Sequence, residues 1–219
     1  MAEFWVVEGI DGAGKSHLLS RLADITCETV VLRKDDRPES GNRWAEERLA
    51  AMHRLTWGYD HAEPVWHYPS RYWLHTLAAW YELFHHVHVA PALAEHRPVI
   101  VDGWFFKHQA RMALSKDEDM VSLAAQVFSA LPQPDQVVKL STPPGLAAVR
   151  RSGSSKPSEH GAFLTDQTAT SERGFTTYQT RTNQALDELL RRHPAPVHTL
   201  DGSTSSKGLL SLLREETNP

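Results

Sequence analysis

The chain has 219 residues, of which 41% are hydrophobic and 23% charged, which is typical of one globular domain spanning residues 1–219. The formal net charge of −4 argues against a general nucleic-acid-binding surface, which is usually basic. The single cysteine, Cys27, excludes an intramolecular disulfide and a cysteine-rich metal site. No apolar run approaches the roughly 18 residues that a membrane span needs. We therefore expect a soluble cytoplasmic protein with no membrane partner.

Strand-like and helix-like segments alternate along the chain. Short apolar runs predict five strands, at Phe4–Glu8, Thr29–Leu32, Pro98–Val101, Gln136–Leu140 and Pro196–Leu200. Apolar residues at helical spacing predict helices at His17–Ile25, Trp44–Leu55, Arg71–Val89, Phe105–Leu114, Asp117–Leu131, Pro144–Arg151, Glu172–Arg192 and Ser205–Glu215. Strands that are separated by helical crossovers predict an α/β fold with a mostly parallel sheet covered on both faces.

Two segments between these elements lack a sustained period. Gly58–Ser70 contains two prolines and is predicted to be a loop, and the long helix after it is expected to stop near Pro91. Ser152–Ser171 is rich in Gly, Ser, Thr and Pro. That composition is typical of a mobile loop.

One motif carries specific chemistry. Gly9–Ser16 reads GIDGAGKS and matches G-x-x-x-x-G-K-[ST], between a predicted strand and a predicted helix. Its glycines let the backbone approach phosphate oxygens, and the helix that follows adds its positive N-terminal end. In this pattern Lys15 reaches the β- and γ-phosphates of ATP, and the Ser16 hydroxyl ligates Mg²⁺. The predicted nucleotide-binding residues are Gly9, Asp11, Gly12, Ala13, Gly14, Lys15, Ser16 and His17.

A P-loop alone does not separate small kinases from GTPases or motor ATPases. The chain is short, and its late loop, about residues 150–171, is placed to close over a nucleotide as a lid. The Thr/Asn-Lys-x-Asp motif with which GTPases read their base does not occur in the sequence. These features favour an ATP-dependent kinase.

Four segments, in chain order, resemble thymidylate kinases of the nucleoside monophosphate kinase group: Phe4–Ser16, Pro91–Asp102, Asp135–Arg151 and Val197–Ser203. The resemblance implies a three-layer P-loop NTPase fold with a five-stranded parallel sheet in the order 2-3-1-4-5, a lid over ATP and commonly a homodimer. It also implies that basic residues in or beside the lid neutralise the transferring phosphate. The residues that match are Arg150, Arg151 and Lys156.

The acceptor side departs from that family's pattern. The family usually has Asp-Arg-Tyr/His after the third strand, and its arginine grips the acceptor's phosphate, whereas this chain has Asp102-Gly103-Trp104. Two other cations, Lys107 and Arg111, lie one helical turn apart. One interpretation is that these two residues, with Arg71, form a relocated anion site for the acceptor. Another is that the acceptor carries no phosphate, so that the enzyme phosphorylates a hydroxyl group. A third is that Lys107 and Arg111 have no role in a site and lie on a solvated helix face.

Two carboxylates and a group of aromatic residues also have more than one interpretation. Asp102 follows a strand at the predicted switch point of the sheet, so it either organises Mg²⁺ or caps the next helix. Asp11 either meets a sugar hydroxyl of the acceptor, as the resemblance implies, or acts as a general base, or braces the loop. Glu8, at the end of the first strand, is interpreted as structural. The aromatic group forms either a wall for a planar acceptor or part of the core or of a dimer interface; it includes Trp57, Trp66, Trp73 and Trp80.

The sequence therefore predicts transfer of the γ-phosphoryl group of Mg·ATP to a nucleotide or related small molecule, with dTMP not the preferred acceptor. One rival is a kinase of an unphosphorylated nucleoside or other hydroxylated small molecule. A rival from another class is a non-catalytic ATP-binding regulatory protein. No nucleic acid polymer is expected as a partner. The predicted catalytic residues are Lys15, Asp102, Arg150 and Arg151, the metal ligands Ser16 and Asp102, and the acceptor-binding residues Asp11, Arg71, Trp73, Lys107 and Arg111.

Overall fold

The computed structural model describes residues 2–36, 40–59, 63, 65–162, 172–203 and 206–217. Its centre is a five-stranded parallel sheet with the order β2-β3-β1-β4-β5, which confirms the predicted fold class and strand order. The strands are β1 (Phe4–Glu8), β2 (Val30–Leu32), β3 (Val99–Asp102), β4 (Gln136–Ser141) and β5 (Val197–Asp201).

Helices cover both faces of the sheet. They are α1 (Lys15–Ala23), α2 (Arg43–Trp57), α3 (Ser70–Phe84), α4 (Ala90–Ala94), α5 (Phe106–Met112), α6 (Glu118–Ser129), α7 (Pro144–Arg151), α8 (Glu172–Arg192) and α9 (Ser206–Thr217). Within the described ranges, no helix has both the length and the apolar character needed to cross a membrane.

The central strand β1 explains why the core has two halves. All five of its residues are buried, and successive side chains of a strand point to opposite faces of the sheet. Phe4 and Val6 pack into a cluster with α3, α5 and α6, whereas Trp5 and Val7 pack into a cluster with α1 and α9. A strand that is buried on both faces needs the continuous apolar run that the sequence shows.

The predicted end of the long helix near Pro91 is wrong. A π-helical segment, His85–Val89, follows α3 and leads directly into α4, which ends at Ala94. Pro91 lies in the first turn of α4, where a missing N–H is tolerated. The wider turns of the π-helix change the hydrogen-bond register just before the proline, so the proline starts a helical segment instead of ending one.

The predicted loop Ser152–Ser171 contains a short helical turn in its described part. Pro157–His160 form a 3₁₀-helix, and Pro157, Ser158 and Glu159 are buried. This turn packs against α8, a contact distant in sequence that local composition does not encode. Residues 163–171 lie outside the described residues. In the other predicted loop, Gly58–Ser70, residues Val65–His67 form a short 3₁₀-helix.

Candidate functional site

The predicted P-loop connects β1 to α1. Gly12 and Gly14 have φ angles of +77° and +100°, in the left-handed region that favours glycine. A Cβ atom on Gly12 would lie 2.7 Å from the carbonyl oxygen of Ala147, so a larger residue would force the backbone apart. The Lys15 ammonium donates a hydrogen bond to the Gly9 carbonyl at 2.8 Å. The loop thus has the compact conformation in which backbone N–H groups and the N-terminus of α1 can bind a phosphate.

The predicted metal ligands lie next to each other beside this loop. The Ser16 hydroxyl donates a hydrogen bond to Asp102 at the end of β3, with 2.5 Å between Oγ and Oδ2. The helix-cap interpretation of Asp102 is wrong, because Phe105 occupies the N-cap position of α5. Hydroxyl and carboxylate oxygens are ligands that Mg²⁺ prefers, so the pair fits the cofactor that a P-loop implies.

A cavity of about 680 Å³ is lined both by the P-loop and by an aromatic region. Residues 11–17 line its P-loop end. Trp57, Trp73 and Trp80 line the other end, where Trp73 and Trp80 are only 8% and 2% exposed. The aromatic residues therefore belong to the core and to the cavity wall at the same time. The side chain of Trp66 lies outside the described part of the structure.

Asp11 lies at the centre of an ion cluster between the P-loop and α5. The Lys107 ammonium donates to its Oδ1 at 2.6 Å, and the Arg111 guanidinium donates to its Oδ2. All three side chains are about 15% exposed. Burial raises the pKa of Asp11, but the charges of Arg111, Lys107 and Lys15 outweigh it and hold that pKa well below its usual range. Asp11 is thus an ionised partner for two cations, and the donors on both of its oxygens argue against the general-base interpretation.

The predicted lid cations point to two different ends of the cavity. Arg150 donates to the carbonyl of Ala13 at 3.2 Å, beside the phosphate position of the P-loop. Arg151 forms a two-point ion pair with Glu159 and lines the cavity as well. Lys156 lies instead at the aromatic end, where its ammonium is 4.6 Å from the ring centroid of Tyr59.

Gln179 on α8 is a site residue that the sequence analysis missed. Its amide oxygen accepts a hydrogen bond from the Asp11 backbone N–H at 3.2 Å. Its amide nitrogen donates to the Asp11 carboxylate at 3.0 Å and to the Glu159 carbonyl at 2.9 Å. The side chain is fully buried, so it connects the P-loop to the 3₁₀-helix of residues 157–160. No local motif marks a glutamine that lies 168 residues from its partner.

Glu8, which was interpreted as structural, lies in the cavity wall next to the P-loop. It is 0% exposed, and its Oε1 accepts the Trp104 backbone N–H at 2.7 Å. Its Oε2 has no hydrogen-bond partner among the described residues. Burial raises the pKa of Glu8 to about 7, although Lys15 and Lys107 oppose the change. Burial, with help from Lys107, also lowers the pKa of Lys15 to about 8. Both groups therefore titrate near neutral pH.

The charges around the cavity suit a polyanion. The described lining residues include seven lysines and arginines and five carboxylates. The cations are Lys15, Lys34, Lys107, Arg111, Arg150, Arg151 and Lys156, and the carboxylates are Glu8, Asp11, Asp35, Asp102 and Glu159. The net excess of positive charge favours a bound nucleotide triphosphate.

Most of the predicted site residues meet at this cavity. Gly9 contributes the carbonyl that holds Lys15, and residues 11–17 form the P-loop wall. Arg71 is the exception, since it is exposed in the first turn of α3 and lies outside the set of described residues that line the cavity. His108, which the sequence analysis did not name, also lines the cavity. Burial, together with the charges of Lys107 and Arg111, holds its pKa well below the usual range.

A protein-family model described as an AAA domain matches residues 4–150. The chain belongs to this family. The matched segment covers more than half of the 219 residues and contains the P-loop, Asp102 and the helix that bears Lys107 and Arg111. Membership supports a kinase-like P-loop protein that binds nucleotide, and it does not specify the acceptor. A comparison with curated proteins finds no match to the chain.

Proposed function

We propose that this protein is an ATP-dependent phosphotransferase that transfers the γ-phosphoryl group of Mg·ATP to a small molecule. The single cavity that joins the P-loop to the aromatic region carries the proposal. One part of this cavity suits a triphosphate, and another part of the same continuous space suits an acceptor. The resemblance to thymidylate kinases supports the same reaction type, whereas the residues on the acceptor side do not favour dTMP.

At the nucleotide end, the P-loop backbone and Lys15 are placed to hold the β- and γ-phosphates. Ser16 and Asp102 would hold Mg²⁺, which on binding neutralises charge on the β- and γ-phosphate oxygens. Arg150, which donates to the Ala13 carbonyl, adds a cation beside the same loop. Phosphoryl transfer depends on positioning and charge neutralisation, and these groups supply both.

At the acceptor end, Trp57, Trp73 and Trp80 offer apolar and aromatic surface for the body of a small molecule. Lys156, which precedes the 3₁₀-helix of residues 157–160, and Ser158 within that helix both reach this end, and the Ser158 hydroxyl is 2.9 Å from the Tyr59 hydroxyl. Because this turn forms part of the cavity wall, it would help to exclude water from the transferring group.

The test is ADP formation from Mg·ATP with a panel of nucleosides, nucleoside monophosphates and hydroxylated or phosphorylated small molecules. We expect turnover with at least one acceptor and a loss of at least ~100-fold in Lys15→Ala, because an electrostatic contact to the transferring group is removed. Arg71→Ala serves as a matched control, since Arg71 is exposed and outside the cavity. Tight ATP binding without transfer to any acceptor would instead identify a non-catalytic nucleotide-binding protein.

A further inference from the structure

We infer that the acceptor has an aromatic, largely apolar body, and that the apolar surface of the cavity's acceptor end selects this body, instead of a network of hydrogen bonds. This inference rests on the proposed function and deepens it. It concerns the body of the acceptor and holds whether or not the acceptor carries a phosphate. Three observations about the acceptor end support it, which are the internal bonding of its polar groups, the side chains that form its wall, and the partners of the cations nearby.

The first observation is that three polar groups of the wall are already bonded within the protein. The Trp73 indole N–H, the Thr56 hydroxyl and the Tyr81 hydroxyl each donate to a backbone carbonyl oxygen, at 3.1, 2.8 and 2.9 Å respectively. Each of these groups has a single hydrogen atom to donate, so none of the three has a donor left for a ligand. A sugar or a nucleoside would lose its hydrogen bonds to water here without regaining them from these groups.

The second observation is the kind of surface that the wall presents. Trp57 is half-buried and Trp73 is 8% exposed, and both line the cavity. Leu77 from α3 and the half-buried Met112 from α5 line the same space. A methionine thioether is flexible and polarizable and makes favourable contacts with aromatic rings. An aromatic body that leaves water for this surface would therefore gain both apolar burial and specific contacts.

The third observation concerns the charged side chains nearby, which have partners within the protein. Lys107 and Arg111 donate to the carboxylate of the P-loop, and the Lys156 ammonium donates to the Trp57 carbonyl at 3.1 Å. His108 also lines the cavity, and burial with the two neighbouring cations holds its pKa well below the usual range. These cations do not depend on a charged ligand for compensation, and a neutral imidazole can bond to one polar substituent of an otherwise apolar molecule.

These observations together predict how the acceptor end discriminates between ligands. A wall that has apolar side chains and internally bonded polar groups favours ligands mainly by the apolar surface that they bury. Binding of a fitting acceptor should then lower the heat capacity, which is the thermodynamic sign of apolar burial. Polar molecules of similar size should bind weakly, because their hydroxyl and amide groups would be desolvated without new partners.

The experiment compares three bodies, each as the free hydroxyl compound and as its phosphate ester: naphthylmethanol, thymidine and glucose. Calorimetric titrations without ATP, at several temperatures, give the affinity and the heat-capacity change. We expect both naphthyl probes to bind at least ~10-fold more tightly than the thymidine and glucose probes, with a negative heat-capacity change. The two forms of each body separate the effect of the body from that of the phosphate. Transfer to the same probes is followed by ADP formation from Mg·ATP.

Met112→Gln tests the wall directly, because it replaces the thioether with an amide of similar length whose hydrogen bonds an apolar ligand does not satisfy. The affinity for naphthylmethanol should fall at least ~10-fold, whereas the affinity for thymidine should not fall. Met112→Leu keeps the wall apolar and should retain the naphthylmethanol affinity within about threefold. Met52→Gln is the matched control, since Met52 is half-buried but outside the described lining of the cavity, and it should leave both affinities unchanged.

The outcomes distinguish this inference from the proposed function. Equal or tighter binding of the thymidine or glucose probes, or an unchanged naphthylmethanol affinity in Met112→Gln, would overturn the inference and leave the proposed function intact. Tight binding of the naphthyl probes without ADP formation from any probe, while ATP still binds, would overturn the proposed function itself.

Discussion

Replacing Glu8 with glutamine should stabilise the folded protein at alkaline pH. The carboxyl is 0% exposed and its folded-state pKa is about 7, against an ordinary value of 4.5. In the unfolded chain the group therefore loses its proton at lower pH than in the folded one. Between these two values the unfolded state binds fewer protons, so stability falls as pH rises, and the full loss is present above pH 7.

The size of the effect follows from the two pKa values. One pKa unit corresponds to about 1.4 kcal/mol, so the ionised carboxyl costs about 3 kcal/mol at pH 8 and about 1 kcal/mol at pH 5. A neutral glutamine avoids the charge and still accepts the Trp104 N–H, but its amide N–H groups have no acceptor among the described residues, which costs about 1–3 kcal/mol. The free energy of unfolding of Glu8→Gln, measured relative to that of the wild type, should therefore rise by about 2 kcal/mol between pH 5 and pH 8.

Urea unfolding at pH 5, 6, 7 and 8 measures this difference. Glu3→Gln is the control for the same chemical change at a half-buried position, where the carboxylate accepts the Trp5 indole N–H. The gain in Glu8→Gln should grow with pH, and the control should show no such trend. A gain that is independent of pH, or a loss of stability at pH 8, would refute the reasoning.

Three other substitutions test the site directly. Asp11→Asn should lower the free energy of unfolding by about 3–5 kcal/mol in urea titrations, because two buried cations lose their counter-charge; a change below 1 kcal/mol would contradict the ion cluster. Gln179→Leu should cost about 1–3 kcal/mol by the same method, since buried groups lose their partners. Gly12→Ala should abolish ATP binding in calorimetry, whereas Gly41→Ala, also at positive φ but with open space around it, should bind ATP normally.

The sheet and the P-loop were predictable because local sequence determines both. A run such as FWVVE is buried on both faces of a parallel sheet, and the P-loop needs its glycines and lysine at fixed spacing. The long helix shows the limit of local rules, since Pro91 was expected to end it. A proline that follows a π-helical segment can occupy a first turn, and helical periodicity does not reveal such a segment.

The acceptor end was less predictable, because distant residues determine it. Lys107 and Arg111 were correctly placed on one helix face, but their partner, Asp11, lies about a hundred residues away. In the sequence, Glu8 is recognisable only as a carboxylate at the end of a strand. Its burial and the missing partner of Oε2 are evident only from the structure. Arg71 has the right charge but lies on the exposed side of α3. The expected homodimer stays a prediction.

The hydrogen bonds of Gln179 have a consequence for the kinetics of the protein. A single buried amide holds both the P-loop, through Asp11, and the 3₁₀-helix, through the Glu159 carbonyl. Displacing one of these segments strains its bonds to the other, so the two substrates should bind with interdependent affinities. By thermodynamic reciprocity, the factor by which bound ATP changes the affinity for the acceptor equals the factor by which bound acceptor changes the affinity for ATP. Double-reciprocal plots of initial rate would then show intersecting lines. The factor by which one substrate changes the affinity for the other would differ from one, and in Gln179→Leu it would be closer to one.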